Sequence, residues 1–86
     1  MKIYWYNGSK NIVGKKVREV RLKANPHITQ QDLSAKLEVL GYNIDRVSIS
    51  KIESGDRFVP DYEIVGLAKA LGVSVEWLLD AKAQNY

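Results

Sequence analysis

Thr29-Gln30-Gln31-Asp32-Leu33-Ser34 and Asp45-Arg46-Val47-Ser48-Ile49-Ser50-Lys51-Ile52-Glu53-Ser54-Gly55 decide how this chain is read. Thr29 is a favoured residue at a helix start, and Asp32 three places on completes a capping box. Leu33, Leu37 and Leu40 continue as an apolar stripe, and Gly41 ends it. Asp45 caps a following helix whose inner face is Ile49 and Ile52, and Gly55 closes that one. With both isoleucines turned inward, the opposite face carries Arg46, Val47, Ser50, Lys51 and Ser54.

The same logic extends in both directions. Val13, Val17, Val20 and Ala24 recur at helical spacing, and Asn25-Pro26 stops that helix because a residue before proline avoids the helical region. Downstream, Pro60-Asp61 opens a helix with Ile64, Leu67, Ala68 and Leu71 inside and Gly72 as its stop. Ser74 caps a short fifth helix carrying Val75, Leu78 and Leu79. Five short amphipathic helices predict a compact all-α bundle. Residues 1–10 read as an N-terminal arm, 11–80 as the domain and 81–86 as a tail. In the arm, Ile3, Tyr4, Trp5 and Tyr6 favour extended structure and Asn7-Gly8 a turn.

Composition narrows the function. Eighty-six residues make one domain, too small to hold a deep catalytic cleft beside its core. There is no cysteine, and the one histidine, His27, falls in a loop, so no common zinc site or nucleophilic arrangement can be assembled. The six glycines read as helix ends rather than a phosphate-binding loop. We therefore expect no enzyme activity, no cofactor, no metal and no small-molecule ligand. No apolar run is long enough to span a membrane, and the first ten residues lack the core of a signal peptide, so a cytoplasmic location is expected. The net charge is only +3, but residues 1–23 alone carry +6 through Lys2, Lys10, Lys15, Lys16, Arg18, Arg21 and Lys23 against Glu19. Such a segment can attract a polyanion.

The two opening stretches, with Val17-Arg18-Glu19-Val20-Arg21 before them and Ala68-Lys69-Ala70-Leu71-Gly72-Val73-Ser74 and Trp77-Leu78-Leu79 after, resemble the lambda repressor and Cro type of helix-turn-helix regulator, the xenobiotic-response-element (XRE) family. The resemblance implies a sequence-specific double-stranded DNA binder, a repressor acting as a homodimer on an operator. It places the helix of residues 46–54 in the major groove. Arg46, Val47, Ser50 and Lys51 are then the base-contacting residues, with arginine suited to guanine and valine to a thymine methyl. Thr29, Gln30, Asn43, Ser48, Ser54 and Arg57 are the phosphate contacts, and Arg21 with Glu53 forms a structural ion pair. The alternative is a protein-interaction or dimerisation module, such as an antitoxin or controller protein, using Trp77, Leu79 and Tyr86 near the end. One departure stands out. Ile49 follows Leu33 by 16 positions, more than the family's usual step, so residues 38–45 should lengthen the second helix by about a turn. The wider link also brings Tyr42 and Asn43 within reach of the DNA backbone.

Overall fold

The computed structural model describes residues 8–80. The expectations for Ile3 to Asn7, and for Tyr86 in the tail, lie outside the described residues. Five helices run in order: α1 (Gly14–Lys23), α2 (Gln30–Val39), α3 (Arg46–Ser54), α4 (Asp61–Leu71) and α5 (Val75–Leu79). The architecture is all-α, as the spacing of the apolar residues predicts. α3 packs on α1 and α2, and α4 packs on α1, α2 and α5.

The core draws on every helix. Val13, Val17, Leu33, Leu37, Ile49, Ile52, Leu67 and Leu78 are essentially inaccessible to water. Each such aliphatic side chain contributes about 1.5–3 kcal/mol of transfer free energy. The start signals work as expected. The Asp32 N–H donates to Thr29 Oγ1 at 3.0 Å, and the Thr29 N–H donates to Asp32 Oδ2 at 3.0 Å. The Ser48 N–H donates to Asp45 Oδ1 at 2.7 Å, and the Trp77 N–H to Ser74 Oγ at 3.0 Å. Backbone N–H groups hold the Asp32 and Asp45 carboxyls below the ordinary carboxylate range.

Four expectations are corrected. Leu40 is not in the core: it caps the end of α2 and is 44% exposed. Its stripe ends at Leu37 because the helix stops at Val39 and the chain turns at Gly41. The ring of Tyr42 is turned inward rather than out from the link. It is half-buried against α4, where a Cβ on Gly66 would lie 2.7 Å from its ring. Gly66 itself lies inside α4 and not at a helix end, since only a residue without a side chain leaves room for that ring. The long link therefore runs as a loop rather than as more helix. Ile44 in it is buried, and Ser34 Oγ donates to the Ile44 carbonyl at 2.9 Å.

The tightest junction joins the start of α1 to the end of α3. Asn11 Oδ1 accepts from the N–H groups of Val13 and Gly14 at 3.1 and 2.7 Å. Its Nδ2 donates to the carbonyls of Ile52 at 3.0 Å and Arg57 at 2.9 Å. Asn11 thus caps α1 and ties it to α3 with one side chain. Gly14 allows the approach: a Cβ there would sit 2.0 Å from the Ile52 carbonyl oxygen. At Gly55 the backbone is left-handed, with φ 85°, and Ser9 closes over it. Gly14→Ala should cost roughly 2–3 kcal/mol and lower the melting temperature by roughly 10–20 °C. Lys15→Ala on the same helix should change stability by less than about 0.5 kcal/mol. Thermal unfolding of both variants checks this, and equal melting temperatures would contradict the close approach.

Candidate nucleic-acid interface

The inward and outward faces of α3 separate cleanly. Ile49 and Ile52 are fully buried, while Arg46, Val47, Ser50, Lys51 and Ser54 are exposed. Val47 is 53% exposed, so an aliphatic side chain stands on the surface with no core to serve. Arg46 and Lys51 form no ion pair with the described residues. The face therefore offers two cations, an apolar contact and two hydroxyls along one short helix. Such a set suits the edges of bases and the phosphates beside them.

Behind this face lies a polar cluster. Arg21 of α1 grips Glu53 of α3 with two parallel bonds, Nε to Oε2 and Nη2 to Oε1, both at 2.8 Å. Both side chains are more than nine-tenths buried. Glu53 holds the Arg21 guanidinium in its charged form, raising its pKa. Arg21 Nη1 also donates to the Ile28 carbonyl at 3.1 Å, fixing the loop that leads into α2. Gln30 completes the cluster, its Nε2 donating to Glu53 Oε1 at 3.2 Å. One amide hydrogen of Gln30 is thus used within the protein, and the second remains for an outside acceptor.

The remaining expected phosphate contacts are placed unevenly. Thr29 is exposed at the start of α2, with its hydroxyl engaged in the cap. Ser48 is half-buried in the first turn of α3, and Asn43 is exposed in the link before it. Ser54 Oγ bonds the Lys51 carbonyl at 3.1 Å and Asp56 Oδ2 at 3.3 Å. Arg57 has a partner that the sequence did not reveal. Its Nη1 and Nη2 donate to the Glu63 carboxylate at 2.6 and 3.2 Å, and that bond raises the arginine's pKa. A phosphate would have to share Arg57 with Glu63.

The basic first quarter is also partly consumed. Lys16 is buried, and its ammonium lies 4.7 Å from the centre of the Trp77 ring and bonds the carbonyls of Trp77 and Asp80. A cation there neutralises the carbonyl end of α5. Lys23 pairs with Glu19 at 2.8 Å on the surface. Arg18 is exposed and lines the crease with Gln30, Ser50 and Ser54, a placement the sequence reading did not assign. Its position three residues before Arg21 on the same helix was the available signal.

Breaking a buried pair leaves an uncompensated charge, so the cluster sets a stability order. Glu53→Ala should cost roughly 2–4 kcal/mol. Lys51→Ala, on the exposed face, should stay within about 0.5 kcal/mol of the parent. Denaturant unfolding compares them directly, and equal midpoints would remove the structural role of the pair.

No helix among the described residues is long and apolar enough to cross a membrane, and no group of carboxylate or histidine side chains among them could hold a metal ion. No curated protein and no solved structure gave a significant match. The helix-turn-helix family model matches residues 17–78, more than two thirds of the chain. That span runs from α1 through most of α5 and includes the whole of the exposed α3 face. Together the five-helix architecture and this match make the chain a member of the helix-turn-helix family of DNA-binding regulators, of the lambda repressor and Cro, or XRE, type.

Proposed function

We propose that the protein is a transcriptional repressor that occupies an operator, with α3 inserted in the major groove and α2 lying across the backbone. The observation that carries this reading is the exposed face of α3, where Arg46, Val47, Ser50 and Lys51 stand clear of the core that Ile49 and Ile52 enter. Arg46 and Lys51 read guanine, Val47 contacts a thymine methyl and Ser50 supplies a hydroxyl. Thr29, Gln30, Asn43, Ser48 and Ser54 fix the register on phosphates, with Arg57 contributing from its pair with Glu63. The protein works in the cytoplasm, where the DNA is.

The active form is a homodimer on two half-sites about one helical turn apart. Phe58, Tyr62, Val65 and Leu79 support a protein contact, since each leaves more than a third of its surface exposed. Their exposure also favours the second reading, in which a partner protein, as in an antitoxin or a controller, sets when the domain binds.

Selection from a pool of random duplexes tests the proposal. The expected result is an enriched inverted repeat with half-sites about 10 base pairs apart. Arg46→Ala should cost roughly 1–3 kcal/mol and relax the preference at one position of each half-site. A pool that yields no enriched sequence, or an Arg46→Ala variant with unchanged preference, would overturn base reading by α3.

A further inference from the structure

We propose that the crease between the start of α2 and the outer face of α3 seats one DNA phosphate and that Arg18, on α1, is its principal ligand. This rests on the reading of α3 as the groove helix and adds a residue to it. Arg18, Arg21, Gln30, Ser50, Glu53 and Ser54 line the crease. On its floor the charges of Arg21 and Glu53 cancel through two bonds at 2.8 Å. What remains is one positive charge, that of Arg18.

Arg18 differs from its neighbours on α1. Lys16 is buried against the end of α5, Arg21 is locked to Glu53 and Lys23 is paired with Glu19. Arg18 is exposed and pairs with no carboxylate among the described residues. Lys15 is exposed as well, but it does not line the crease. One neighbour of Arg18 in the crease adds a donor of the right kind. Gln30 has an amide hydrogen left after its bond to Glu53. A guanidinium fork beside an amide matches the oxygens of a phosphodiester. With α2 across the backbone and α3 in the groove, Arg18 and Gln30 lie on the α1 and α2 side of the crease, towards the strand, and Ser50 lies on the side of the base edges. Arg18 therefore contributes affinity without sequence preference.

The test is binding of a mixed-sequence DNA duplex, followed by fluorescence anisotropy across a salt series, for the parent, R18A, R18K, R46A and K69A. Lys69 is an exposed cation on α4, outside the crease. R18A should weaken binding and reduce the slope of log affinity against log salt by about one. Its deficit should shrink by about 3-fold between about 50 and 200 mM salt. R18K should recover the slope, and K69A should match the parent. R18A should melt with the parent, because the Arg18 side chain is exposed and pairs with no carboxylate among the described residues. If R18A binds like the parent while R46A is weakened, the Arg18 assignment fails and the α3 reading stands. If K69A loses as much as R18A, the effect is general charge and the crease is not a site. If the parent itself does not bind at low salt, both fail.

Discussion

Glu53 sits where three helices meet, and its two oxygens hold them in register. One accepts from Arg21 Nε of α1, and the other is shared between Arg21 Nη2 and Gln30 Nε2 of α2. A carboxylate this deeply buried is tolerated because a bidentate guanidinium and an amide satisfy it. The geometry of the outer surface follows. Glu53 belongs to α3 and is next to Ile52, so anchoring it sets the rotation of the helix about its axis. That rotation keeps Ile49 and Ile52 in the core and turns Arg46, Val47, Ser50 and Lys51 outward. The bond to Gln30 fixes the first turn of α2 against the same face.

A second clamp works beside it, at the C-terminal end of α3. Asn11 joins the first N–H groups of α1 to the carbonyls of Ile52 and Arg57, and Gly14 lets the two backbones meet. Held at Glu53 and at Ile52, α3 has little freedom to roll. Part of the basic charge of the first quarter serves this scaffold rather than a polyanion. Lys16 and Arg21 are both consumed inside, and Arg18 is left at the edge of the outer face.

Most of the fold was legible because its signals are local. Thr29 with Asp32, Asp45 and Ser74 mark helix starts through bonds within three residues, and Gly55 and Gly72 mark ends through backbone conformations that glycine accepts. Ile49 and Ile52 gave the orientation of α3 through helical periodicity alone. The failures are of a different kind. Leu40 continued an apolar stripe past the point where Gly41 turns the chain, and nothing in the stripe records that turn. Tyr42 looked like an exposed loop residue because its true partner, Gly66, is 24 positions away and is recognised only by the side chain it lacks. Arg57 with Glu63, and Asn11 with Ile52, are long-range or loop contacts of the same kind. The pairing of Arg21 with Glu53 could be read in advance only through the family resemblance, since neither position carries a local mark of burial.

The central claim is that the exposed face of α3, backed by the Glu53 cluster, is the surface that meets DNA. The most direct measurement is an amide NMR titration of the full chain with a mixed-sequence duplex at low and at higher salt. Shifts should concentrate at Arg18, Gln30 and Arg46–Ser54 and fade as salt rises, because the contacts are largely electrostatic. A spectrum that does not move at low salt, or shifts confined to α4 and α5, would contradict it.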